Sequence, residues 1–196
     1  MTAKPIYGLV LAGGESRRMG QDKALLARDG QSQLAHVVAL LEQVTDRVFV
    51  SARREQQKET ERSRFAQIID RIEGIGPVAG ILSALHEHPQ ADWLVVACDL
   101  PNIDLATLEF LLEQRSMEQP FTAFQSSHDG LPEPLCALYR SGSEAIIQGF
   151  VDDGIVCPRK ILIRSDTRLL EQPNPRSLDN VNTPDDLEQS VLEATS

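Results

Sequence analysis

The chain has 196 residues, 41% hydrophobic and 24% charged, enough to bury a sizeable core in one domain spanning 1–196. Its 19 Lys and Arg stand against 29 Asp and Glu, a net charge of −10 and a pI near 4.8, so neither nucleic acid nor an anionic membrane is expected as a partner. The apolar run Ile6 to Ala12 is too short to cross a bilayer, Lys4-Pro5 before it builds no signal peptide, and Cys98, Cys136 and Cys157 form no CxxC pair. A cytoplasmic protein without a zinc site or a disulfide framework is the expectation.

Residues 6–26 read I-Y-G-L-V-L-A-G-G-E-S-R-R-M-G-Q-D-K-A-L-L, a buried strand that opens into a small, cationic loop. Gly13 and Gly14 carry no Cβ, so their N–H groups can approach a ligand closely. Arg17, Arg18 and Lys23 add fixed positive charge, and Gly20 lets the loop bend back. A Walker loop would need Lys-Ser or Lys-Thr directly after its last glycine, and the dinucleotide fingerprint would need a further glycine at a set offset. Neither is present. The stretch reads instead as a cradle for a triphosphate.

Beyond it, Leu34, Val37, Val38, Leu40 and Leu41 follow the helical repeat, and Arg47 to Ser51 reads as a strand. Residues 53–64 are strongly charged and nearly free of apolar side chains, the pattern of a solvated face. A short strand, Phe65 to Ile69, then leads to Asp70, followed by a Gly74-to-Gly80 stretch and a helix from about Ile81 to Glu87. Trp93 to Ala97 has the composition of a strand buried on both faces of a sheet, and it ends at Cys98-Asp99-Leu100-Pro101. Asp104 is placed to cap a helix whose Leu105, Leu108, Leu111 and Leu112 face the core. Further strands are expected at Phe121 to Phe124 and Leu135 to Tyr139, with a helix near Ser143 to Phe150. Thr183, Pro184 and Asp186 form the start signal of a last helix.

Strands alternating with helices predict a three-layer αβα fold, Rossmann-like, with a mainly parallel sheet and helices on both faces. Ligands of such sheets sit beyond the carboxyl ends of the strands. The cradle, Asp70 and Asp99 all fall at such ends and can therefore meet in space. A basic loop with isolated carboxylates suits nucleotidyl transfer, in which catalysis is positioning and charge neutralisation. Mg²⁺ is the expected metal, since it takes a few carboxylate oxygens together with substrate phosphates. Asp99 is the candidate ligand; a strand-end Asp also serves as an ordinary cap, but Pro101 stiffening the turn favours the functional role. Asp70, an acceptor-only group, could take hydrogen bonds from a base edge or a ribose hydroxyl, and reads equally as part of a strand-end turn. The four histidines show no metal-ligand grouping.

The pattern L-A-G-G-x-S-x-R-M-G-x-D-K-x-L-L, from Leu11 to Leu26, resembles the signature of the MobA-like nucleotidyltransferases, and within them the molybdenum cofactor guanylyltransferases. Gly76-Pro77-x-x-Gly80 resembles the segment bordering the base. Asn180-Val181-Asn182-Thr183-Pro184 resembles an N-x-N-T-P motif on the pterin side, and Leu131 to Leu135 the segment before an acceptor-side strand. The resemblance implies nucleotide contacts from Leu11, Ala12, Gly13, Gly14, Lys23, Asp70, Gly76, Pro77, Gly80 and Asp99. It also implies catalytic roles for Arg18, Lys23 and Asp99, magnesium on Asp99, and acceptor contacts from Asn180 and Asn182. Arg53 stands where several relatives have an asparagine, and could reach a ribose or phosphate. Arg159 and Lys160 could receive the acceptor's phosphate end or form a surface pair.

The implied reaction is Mg²⁺-dependent transfer of GMP from GTP to the terminal phosphate of molybdopterin. Transient contacts with molybdenum insertion enzymes or molybdoenzyme chaperones are implied too. The alternatives are a cytidylyltransferase on the same cofactor, another nucleotidyltransferase, or a non-catalytic cofactor carrier. Ala12-Gly13-Gly14 and Asp22-Lys23 favour guanine over cytosine, and retention of Lys23 and Asp99 favours an enzyme over a carrier.

Overall fold

The computed structural model describes residues 4–12, 27–28 and 31–179. Its centre is a seven-stranded sheet built from β1 (Ile6–Leu11), β4 (Arg47–Ala52), β5 (Gln67–Ile69), β6 (Asp92–Ala97), β7 (Phe121–Gln125), β8 (Pro132–Tyr139) and β9 (Thr167–Leu170), in the order β5-β4-β1-β6-β8-β7-β9. A two-stranded ribbon, β2 (Ala27–Arg28) with β3 (Gln31–Ser32), stands apart from it. β1, β4, β5 and β6 are parallel, as are β7 and β9, while β8 runs antiparallel to both β6 and β7. All six residues of β6 are buried, as expected of the middle strand of a sheet covered on both faces.

The two faces follow from the period-2 alternation of the strands. Val10, Val50, Leu94 and Val96 point into one core with Leu34, Val37, Val38 and Leu41 of α1 (Gln33–Leu41) and Leu108, Leu111 and Leu112 of α3 (Leu105–Glu113). Leu9, Phe49, Trp93 and Val95 point into the other, with α2 (Pro77–Glu87), α4 (Glu144–Asp152) and α5 (Pro158–Ile163). Each fully buried aliphatic side chain contributes about 1.5–3 kcal/mol, so the two cores fix the layers. The three-layer αβα architecture expected from the sequence is present.

Three elements differ from their sequence reading. α2 begins at Pro77, in the first helical position, rather than near Ile81. β8 starts at Pro132, three residues early. Its prolines cannot donate to a ladder, and the pairing with β7 jumps from Ala123↔Ala137 to Phe124↔Glu133. Residues 53–64 are largely the solvated face expected, but two of their side chains turn inward. They form two short 3-10 turns, Arg54–Gln56 and Arg62–Arg64, in which Gln56 is 5% and Arg62 0% exposed.

Candidate active site

The parallel strands β1, β4, β5, β6, β7 and β9 finish on one edge of the sheet, and the antiparallel β8 begins there. Ala12 leaves β1 at this edge, fully buried. Asp70 leaves β5, its N–H held by the Ala52 carbonyl at 3.0 Å. Cys98 leaves β6, its N–H donating to the Leu11 carbonyl at 3.2 Å, and half-buried Asp99 follows it. The carboxylates do not converge on one point. β5 and β6 are three places apart in the sheet, so at ~4.8 Å per strand their ends lie roughly 14 Å apart with β1 between. One ligand could touch both carboxylates only by lying along the edge.

Asp70 is held in place by Ser51 of β4, whose hydroxyl donates to Oδ1 at 2.9 Å. Burial pushes its carboxyl above the usual range, against the lowering effects of the Ser51 hydrogen bond and the Arg53 charge. Arg53, the first residue after β4, therefore lies in the field of Asp70. Its side chain reaches Gln56 Oε1 and Glu55 Oε1, both at 3.4 Å. Ser51 is the residue that sequence reasoning passed over. A polar side chain inside the apolar strand R-V-F-V-S-A was the available signal.

Gly76 takes φ +61°, a backbone region open to glycine, and its carbonyl accepts from Ala79 N–H at 3.1 Å. Gly80 lies inside α2 against the sheet: a Cβ there would stand 2.3 Å from Ser51 Oγ and 3.0 Å from Leu11 Cδ2. Its packing brings the helix directly onto Ser51, whose hydroxyl holds Asp70. At the other end, the buried Gln33 amide donates to the Leu100 carbonyl at 3.1 Å, fixing the turn that carries Asp99. Asp104 caps α3 as expected, accepting from Thr107 N–H at 2.7 Å.

Beyond β6, the same edge carries a polar cluster. Arg159 of α5 bridges Asp129 and Glu133, each at 3.0 Å, so the guanidinium is engaged by two carboxylates. Lys160 is exposed. The segment after β9 returns across this side through Gln172 to the Gln125 carbonyl at 2.9 Å and Asp179 to His128 at 3.1 Å. Leu178 is buried in the first core. Gly13, Gly14, Arg17, Arg18, Gly20, Lys23, Asn180, Asn182, Thr183, Pro184 and Asp186 lie outside the described residues.

A family model, the MobA-like NTP transferase domain, matches residues 8–167. The chain belongs to this family. A molybdenum cofactor biosynthesis bifunctional protein of Synechocystis sp. is 38% identical over 185 residues, 94% of this chain and 53% of that protein; the chain thus spans about half the length of that relative. A molybdenum cofactor guanylyltransferase of Pseudomonas paraeruginosa is 34% identical over 187 residues, 92% of each chain. Among solved structures, molybdopterin-guanine dinucleotide biosynthesis protein A from Archaeoglobus fulgidus superposes with a TM-score of 0.80 at 26% identity, covering 96% of this chain and 98% of that one. The MobA-like assignment agrees with the resemblance carried by the Leu11-to-Leu26 pattern.

Proposed function

We propose that this protein transfers GMP from GTP to the terminal phosphate of molybdopterin, working as one domain over its whole length. The observation that carries the reading is the placing of Asp70, Ala12 and Asp99 in that order along one sheet edge of a MobA-like chain. A nucleoside triphosphate laid along the edge puts its base at Asp70 and its phosphates between Ala12 and Asp99. The names of the relatives support guanine as the base and molybdopterin as the acceptor.

In the reaction, an oxygen of the acceptor's phosphate forms a bond to the α-phosphorus of GTP. The bond from that phosphorus to the bridging oxygen breaks, and pyrophosphate leaves with the electron pair. Asp70 accepts hydrogen bonds from the guanine edge, with Ser51 holding its second oxygen. Lys23 and Arg18 neutralise the triphosphate and then the leaving pyrophosphate. Asp99, on a turn fixed by Gln33, suits Mg²⁺, which is satisfied by one or two carboxylates plus substrate phosphates; bound there, the cation would supply further charge neutralisation. Asn180 and Asn182 would meet the pterin.

No helix of the described residues is long and apolar enough to cross a membrane. We place the protein in the cytoplasm, in transient contact with molybdenum insertion enzymes or molybdoenzyme chaperones.

The test is pyrophosphate release with Mg²⁺ and molybdenum-loaded molybdopterin, in parallel with GTP, CTP and ATP. Release with GTP alone is expected, and Lys23→Ala should lower turnover by ~10²-fold or more. Release with CTP alone would replace guanine by cytosine, and silence with all three would favour a carrier.

A further inference from the structure

Two neighbouring residues of the 3-10 turn region grip the chain on either side of residues 13–26. The Arg62 guanidinium is fully buried. Its Nε donates to the Ala12 carbonyl at 3.2 Å, Nη2 donates to the same oxygen, and Nη1 pairs with Glu59. A buried guanidinium is costly unless its donors are used, and here two of its nitrogens donate to the last backbone carbonyl before the Gly13-Gly14 stretch while a third pairs with Glu59. A peptide unit is planar, so holding that oxygen fixes the plane in which the chain leaves β1. Glu61 grips the other side. It accepts from the Ser32 hydroxyl at 2.5 Å, and Ser32 pairs with Ala27 in the ribbon that follows residue 26. The same hydroxyl caps α1 by accepting from Ala35 N–H at 3.1 Å.

We propose that Arg62, with Glu61 beside it, is a positioning residue that clamps both flanks of the triphosphate cradle through Ala12 and Ser32. Arg62 acts through the Ala12 carbonyl and not on the nucleotide itself. The inference rests on the reading of residues 13–26 as the triphosphate cradle for its consequence in binding. Its mechanical part stands apart from that reading.

The experiment compares the wild type with Arg62→Met and Arg62→Lys, using only variants whose melting is cooperative. Without any nucleotide, trypsin should cut after Arg17, Arg18 and Lys23 about tenfold faster in Arg62→Met than in the wild type, relative to cleavage elsewhere in the chain, because local opening governs such cuts. Arg62→Lys, which keeps one donor, should fall between. With nucleotide, the tighter binding of GTP over GMP should shrink by about tenfold, and turnover should fall by up to ~10²-fold, as expected of a misplaced cradle. The acceptor's KM should not move. Unchanged relative cleavage in a folded Arg62→Met or Arg62→Lys protein overturns the clamp. If the wild type shows no preference for GTP over GMP, the cradle reading fails, and the cleavage pattern still decides the clamp.

Discussion

At the scale of single residues, Asp70 ties physical state to the proposed chemistry most directly. Burial raises its carboxyl above the ordinary range, with the Ser51 hydrogen bond and the Arg53 charge working against that. A folded-state pKa above the unfolded one means that the native protein binds this proton more tightly than the unfolded chain does. The stability so gained is full below the ordinary aspartate value and is lost as pH rises through the raised one. Ionisation of the group is therefore a cost to the fold, kept for its acceptor oxygens. Asp70→Asn should leave the melting temperature at pH 7 unchanged or slightly higher, because the amide oxygen can keep the Ser51 bond. GTP affinity should drop about 10- to 100-fold, the ~1.5–3 kcal/mol of a hydrogen bond to a charged group. Calorimetric titration beside thermal melting separates the two effects, and wild-type affinity in the variant would remove Asp70 from the base site. Wild-type affinity should also fall on acidification at a pH above that of an ordinary aspartate, while the variant's stays flat over that range.

Among the elements, α2 shows how closely helix and sheet must approach at this site. Gly80→Ala would drive a Cβ to 2.3 Å from Ser51 Oγ and to 3.0 Å from both Leu11 Cδ2 and Ser51 Cβ. The expected cost is about 1–3 kcal/mol, as for other overpacked positions, with a loss of GTP affinity because Ser51 must turn from Asp70. Gly149, in the exposed face of α4, has nothing within 4 Å of a Cβ. Gly149→Ala should stabilise by up to ~1 kcal/mol through helix propensity alone. Opposite shifts of the two melting temperatures check the assignment; equal shifts would mean that Gly80 has room. The start of α2 was legible, since Pro77 fits a first helical position, but Gly74 and Gly76 drew the reading toward a loop. The burial of Arg62 was not legible. It depends on a carbonyl 50 residues away, and a local window of R-S-R preceded by Glu looks like any solvated turn.

For the whole molecule, sequence carried the half of the sheet from β5 to β6 further than the half from β8 to β9. β1, β4 and β6 are apolar runs joined by helices, so their parallel pairing follows from period and connection. The antiparallel insertion of β8 between β6 and β7 leaves no such mark, because a central strand reads alike in either direction. Nor does β9, whose four residues T-R-L-L have burial set by a single neighbour, β7. The candidate site was legible as a set of strand-end residues, while their spread along the edge needed the strand order. The acidic balance gives a further expectation: turbidity at fixed concentration should peak near pH 4.8, where net charge vanishes. A peak displaced above pH 6 would mean that charges on the folded surface titrate far from their sequence values. The two ends of the sheet have a bearing on this. β5 and β9, which close it, are only three and four residues long, so each presents few unsatisfied backbone groups to another molecule. Ribbon-to-ribbon polymerisation, the hazard of an open sheet, thus has little template to grow from, and precipitate formed at the isoelectric point should redissolve on return to neutral pH as native, unpolymerised protein.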